Sequence, residues 1–255
     1  SLNATYANIF TCTNKANNIK LKSCSLIGQP SVGNLISIGS NCDSVLIFNN
    51  RLYKGATGVS VNSLYNKVQQ NSFEDQSQYG VLGNGLNFDY SSNKFNFTTL
   101  NGRAIYINGV AGGKIAKNKI SYVSGITNAV EILNGGSASN PLYISNNFIS
   151  VNGGDGLRLT NSQYCYLLHN SVNQSGNASC LTYSVVNNSL SQNNIFYSSN
   201  GNCINASGSN PSFSTNYNCI YNPFGKLINF NGTQYSTLSA YTATTSMEAN
   251  SVSAD

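Results

Sequence analysis

The stretch Ile144-Ser-Asn-Asn147-Phe-Ile149 decides how this chain is read, because its pattern returns along the sequence. Written as apolar-x-x-Asn-x-apolar, it appears at Ile47/Asn50/Leu52, Val68/Asn71/Phe73 and Tyr90/Asn93/Phe95. It continues at Ile115/Asn118/Ile120, Ile144/Asn147/Ile149, Leu167/Asn170/Val172 and Leu190/Asn193/Ile195. The Asn-to-Asn steps are 21, 22, 25, 29, 23 and 23 residues. A period in the low twenties is too short for helix-pair repeats of about 33 residues or more and fits a solenoid that completes one turn per repeat. Upstream, Leu21/Cys24/Leu26 fits with Cys in the Asn slot. Downstream, either Asn216 or Asn218 is the next member.

A second series lies 8 to 13 residues before each Asn motif. It consists of in-out-in triplets: Ile36-Ser37-Ile38, Val59-Ser60-Val61, Ile105-Tyr106-Ile107, Val130-Glu131-Ile132, Leu157-Arg158-Leu159 and Leu181-Thr182-Tyr183, with Ile204-Asn205-Ala206 a weaker member. Two short period-2 strands per turn, separated by Gly/Asn/Ser corners, describe a coil of parallel β-structure. Stacked strands lie about 4.8 Å apart, so equivalent residues of successive turns touch. An inward Asn at a corner can then hydrogen-bond the turns on either side of it. The expectation is an all-β solenoid of nine to ten coils with an inward ladder at Asn50, Asn71, Asn93, Asn118, Asn147, Asn170 and Asn193. Residues 1–223 form the solenoid; residues 224–255 form a C-terminal extension that caps it or begins a further coil.

These repeats resemble the right-handed, single-stranded parallel β-helix of the pectin-lyase-like superfamily, over residues from about 17 to 223. The resemblance implies a secreted or cell-surface protein of bacterial type, and it implies fold more strongly than activity, since that scaffold carries lyases, hydrolases, tailspikes and adhesins. The phrase Tyr235-Ser-Thr-Leu-Ser-Ala-Tyr241, followed by Glu248–Asp255, also resembles a tail of large secreted β-helix proteins. It suggests a segment of a larger polypeptide. Residues 236–247 read as a short helix capped by Ser236.

Composition points the same way. Only 8% of the 255 residues are charged, against about a quarter in an average soluble domain. From Leu159 to Gly225 there is no Asp, Glu, Lys or Arg. Such a surface is solvated by Asn, Ser, Thr, Gln and Tyr, as in extracellular repeat proteins. The net charge of +5 comes from scattered residues with no basic stripe, which argues against nucleic acid as a partner. No apolar run approaches the ~20 residues of a membrane span. The odd count of seven cysteines contains no C-x-x-C pair. Most read as inward thiols, and Cys180 and Cys203 should stack on adjacent coils, where a disulfide is geometrically demanding. The sequons at Asn3, Asn96, Asn173, Asn177, Asn187, Asn205 and Asn231 follow from the richness in Asn, Ser and Thr.

Function is sought on the outward row of the first strand: Ser37, Ser60, Leu82, Tyr106, Glu131, Arg158, Thr182 and Asn205. Tyr106, Glu131 and Arg158 are the acid–base candidates, with Asp155 and Lys114 able to assist. An exposed Glu–Arg pair beside a Tyr is the bland alternative, worth about 0–1 kcal/mol. Calcium-dependent lyase chemistry needs several carboxylates, and glycoside hydrolysis needs two placed ones. One ladder Glu and a corner Asp in Gly153-Gly154-Asp155-Gly156 supply neither set, and Asp155 suits turn chemistry. No metal or cofactor is expected. The expectation is therefore a non-catalytic extracellular module, a stalk or adhesin binding a polysaccharide or cell-surface glycan through Tyr106, Glu131, Arg158 and Thr182. The alternative is a polysaccharide lyase or glycoside hydrolase. The loop Leu133–Pro141, part of the longest repeat, would wall the site.

Overall fold

The structure is a computed structural model and describes residues 8–98, 102–109, 112–122, 127–208 and 212–253. Asn3 and the ends of the chain at Ser1 and Asp255 lie outside those residues. The described chain winds as a solenoid with three parallel sheets, not two strands per turn. The first sheet has eleven strands, running from Phe10–Cys12 to Ile228–Phe230 and closing with the antiparallel strand Thr233–Tyr235. The second, from Lys20–Lys22 to Phe213–Asn216, and the third, from Ser25–Ile27 to Cys219–Tyr221, have nine strands each. The Asn motif spans two of these strands. Leu142–Ser145 and Phe148–Val151 flank Asn146-Asn147, and a corner of only two residues makes two strands look like one in the sequence.

That corner is the same in almost every turn. The residue before each ladder position has positive φ, as at Asn49 (54°), Asn146 (54°), His169 (57°) and Asn193 (56°). The next residue then turns inward. The single His is thus a corner residue in the left-handed region. At each rung the Asn Oδ1 accepts from the backbone N–H and the Nδ2 of the preceding Asn. For the Asn118–Asn147 rung both distances are 3.0 Å. The Nδ2 also donates to a carbonyl of the preceding turn, as Asn147 does to Ile115 at 3.0 Å. The ladder begins with the N–H of Cys24 on Asn50 Oδ1 at 2.9 Å, so Cys24 does fill the slot.

One rung departs from expectation. Asn194, not Asn193, accepts from Asn170 and donates to Leu167, and Asn218 is the next member. Asn193 is the exposed corner residue. The motif as written fits only Asn193, with Leu190 and Ile195, since the Asn194 register opens on the polar Ser191; yet that register is the inward one, with Ser191 and Phe196 both fully buried while Ile195 is 52% exposed. Burying the larger ring settles the choice.

Inside, like stacks on like. Ile36, Val59, Val81, Ile105, Val130, Leu157, Leu181, Ile204 and Ile228 pair in series from the first sheet, and the Phe73 and Phe95 rings stack at 4.6 Å. Where the third sheet turns into the first, Gly58 and Gly80 have no room for a side chain. A Cβ on Gly58 would meet the Gly80 carbonyl at 2.7 Å, and one on Gly80 would meet that of Ala104 at 2.6 Å. Cys180 and Cys203 fall in this same column on adjacent coils. All seven cysteines are free thiols, five of them buried. Burial pushes the Cys165 thiol up to about 12.

The strand Ile228–Phe230 carries the first sheet beyond residue 223. The helix that follows is Leu238–Thr245. Its N-cap is Thr237, whose hydroxyl accepts from Ala240 N–H, and not Ser236. Tyr241 on this helix is fully buried against Phe230 and Tyr235, which packs the helix onto the last strands of the first sheet.

Candidate functional site

The outward row of the first sheet is in register through eight turns. Ser37, Ser60, Leu82, Tyr106, Glu131, Arg158, Thr182 and Asn205 are direct neighbours on successive strands. Tyr106, Glu131 and Arg158 therefore do lie side by side, as the triplet spacing predicts. The row is partly enclosed: Glu131 is 8% exposed and Thr182 only 5%, although both point away from the core.

Its centre is a residue that the pattern does not single out. Arg103 opens the strand Arg103–Asn108 and reaches over it to pair with Glu131, its Nε donating to Oε2. The Arg103 guanidinium carbon lies 5.3 Å from the Tyr106 ring centre and 5.7 Å from that of Tyr79. Those two rings are 5.2 Å apart. Glu131 therefore spends its charge on Arg103 and not on the expected neighbour Arg158. Arg158 approaches Asp155 at 3.4 Å instead, with its own side chain 42% exposed.

Asp155 is first of all a corner residue. Its Oδ1 accepts from Ser179 N–H at 2.9 Å, and its own N–H donates to Asn128 Oδ1 at 3.0 Å, which ties three successive turns together. Thr182 completes the row with its hydroxyl oxygen enclosed and without a hydrogen-bond partner. Lys114 does not belong to this face. It is on the second sheet, beside Tyr143, and pairs with Asp89 at 2.9 Å. The loop after Glu131 folds onto the next turn. Gly135 N–H donates to Ser162 Oγ and its carbonyl accepts from Gln163 N–H, while Ser137 and Asn140 close a tight turn.

These contacts limit the chemistry. Burial raises the Tyr106 phenol, the Glu131 carboxylate and Tyr79 raise it further, and Arg103 offsets only part of this. Tyr106 therefore stays protonated at neutral pH, a donor and a flat ring and not a base. Both carboxylates of the face are held in ion pairs. Among the described residues, no three His, Cys, Asp or Glu side chains converge in a way that could hold a metal ion. Tyr79 and Arg103 open the same strands as Leu82 and Tyr106, three residues earlier, and the consecutive buried pairs Gly80-Val81 and Ala104-Ile105 break the period-2 parity that would have placed them on the outer face. The same offset relates Asp155 to Arg158.

No protein-family model and no curated protein matches the chain. Among solved structures, the enzymatically active domain of tailspike protein 2 from bacteriophage CBA120 superposes with a TM-score of 0.55 at 14% identity. The match covers 85% of this chain and 41% of that one, so the chain spans less than half of the tailspike domain's length. The chain is a parallel β-helix protein. The mannuronan C-5 epimerase A-module of Azotobacter vinelandii superposes more loosely, with a TM-score of 0.38 at 14% identity over 95% of this chain and 75% of that one. In this β-helix, as at such identities generally, the likeness fixes the scaffold, and the residues on its faces must speak for function. No helix among the described residues is long and apolar enough to cross a membrane.

Proposed function

We propose that this β-helix is a non-catalytic extracellular module, of stalk or adhesin type, that binds a polysaccharide along the outer face of its first sheet. The observation that carries the reading is the cluster of Tyr79, Arg103, Tyr106 and Glu131. Two aromatic rings lie side by side on adjacent turns, held by a guanidinium whose charge a carboxylate already neutralises. Such rings present an apolar surface and a polar hydroxyl, which suits a sugar with C–H faces and hydroxyl edges. Further along the row, the Arg158 side chain is 42% exposed and can meet a bound sugar. The low charge and the Asn, Ser and Tyr surface support an extracellular setting.

A second reading is favoured by one observation, that the superposed tailspike is described as an enzymatically active domain. In that reading Glu131 and Asp155 would serve as the acid–base pair of a polysaccharide lyase or glycoside hydrolase. Their contacts weigh against it, since Glu131 is already engaged by Arg103 and Asp155 by Arg158 and the Ser179 N–H. A glycan array run beside assays for reducing ends and unsaturated products separates the two. Binding without products supports the module, and products from the wild-type chain support the enzyme.

A further inference from the structure

The Asn ladder has to end, and at its C-terminal end it meets residues 248–252. There the chain returns from the helix and lies against the last turn. Glu248 N–H donates to the Thr215 carbonyl at 2.9 Å, Asn250 N–H to Asn216 Oδ1 at 2.8 Å and Val252 N–H to the Asn218 carbonyl at 2.9 Å. Val252 bridges to Cys219 in parallel, and its carbonyl accepts from Ile220 N–H at 2.8 Å. The strap thus copies the corner Thr215–Cys219 one turn on, with Ser251 where an Asn would stand. Ser251 Oγ accepts from Asn218 N–H at 2.8 Å. The Asn218 amide, which in every other turn would donate to the next Asn, donates to the Glu248 carboxylate at 3.1 and 3.2 Å.

Glu248 is 1% exposed and has positive φ at 56°. It also accepts from the hydroxyls of Thr215 and Ser251. The titratable groups around it are Tyr183 from the first sheet and Tyr241 from the helix, both phenols pushed far up by burial. No Lys, Arg or His among the described residues pairs with it. A buried carboxylate held only by neutral donors pays for desolvation without a countercharge.

We propose that Glu248 is an acid-set latch for the ladder end: the strap 248–252 seats firmly while this carboxyl is protonated and loosens as it ionises. Burial raises the Glu248 carboxyl above its ordinary value, the three hydrogen-bond donors offsetting only part of this. A folded-state value above the unfolded one means that the stabilisation is complete below the unfolded carboxyl range of about 4.3. It is lost as pH rises through the folded value. Loosening would uncover the edge of the last second-sheet strand and the final rung, a local opening that leaves the rest of the coil intact.

Hydrogen exchange on the chain at about pH 4.5 and 7.5, corrected for intrinsic rates, tests this. Protection of the Glu248 and Val252 amides is expected to fall as pH rises, while the Asn118 and Asn147 amides in mid-ladder hold theirs. Glu248→Gln should remove the dependence. Strap protection that is flat with pH in the wild-type chain overturns the latch, whatever the variant does. So does a dependence that persists in Glu248→Gln.

Discussion

Asn147 takes part in five hydrogen bonds with the two turns that flank it. It accepts twice from Asn118, donates to the Ile115 carbonyl, and gives both its N–H and its amide to Asn170 Oδ1. Asn147→Leu fills the space but strands the Asn118 N–H and the Ile115 carbonyl. A loss of about 1–3 kcal/mol is expected in urea melts, the range for a buried polar group left unpaired. An unchanged midpoint would contradict the ladder. The Asn193–Asn194 pair sharpens this test, since the two residues are adjacent and identical. Asn194→Leu should cost as much as Asn147→Leu, whereas Asn193→Gly, at an exposed left-handed corner, should change stability by less than about 0.5 kcal/mol. Recurrence made the ladder legible, because an Asn in register every 21 to 29 residues is poor evidence of chance. The slip at Asn194 was not legible, because Leu190 and Ile195 complete the pattern around Asn193, whereas the true register puts the polar Ser191 in the opening core position and is favoured only by burial of the Phe196 ring.

On the outer row of the first sheet, register was readable and partnership was not. Triplet spacing placed Tyr106, Glu131, Arg158 and Thr182 on consecutive strands. It could not show that Glu131 turns to Arg103, since the consecutive buried residues Ala104 and Ile105 break strand parity between Arg103 and Tyr106. Nor could it show that Lys114 sits on another sheet with Asp89. The cluster carries its own prediction. Tyr106→Ala removes one of the two adjacent rings and should weaken binding of a polysaccharide about tenfold, the effect of losing roughly 1.4 kcal/mol of contact, with the melting temperature little changed. Titration calorimetry on a glycan selected from an array provides the measure. Undiminished affinity would show that sugars, if bound, lie elsewhere.

The solenoid as a whole is held by contacts between neighbouring turns, so its stability is close to a sum over coils. The period and the absence of charge from Leu159 to Gly225 made this architecture and its polar surface readable. The third sheet was hidden by the brevity of the corner, and the role of Glu248 by the distance of 30 residues between it and Asn218. Coils stacked through asparagine amides and apolar columns need no ion, so EDTA should leave the melting temperature where it is. A fall of many degrees would point to a structural cation, which wants six or more oxygens.

The function of this β-helix turns on whether its first-sheet face binds without cutting. Incubating the wild-type chain for an extended period with a panel of acidic and neutral polysaccharides, and following both complex formation and chain length in the same samples, tests this most directly. The prediction is a bound polysaccharide of unchanged length, with complex formation weakened in Tyr106→Ala. Shortened chains or unsaturated ends produced by the wild-type protein, and lost in Glu131→Gln or Arg158→Ala, would contradict it and make the β-helix an enzyme.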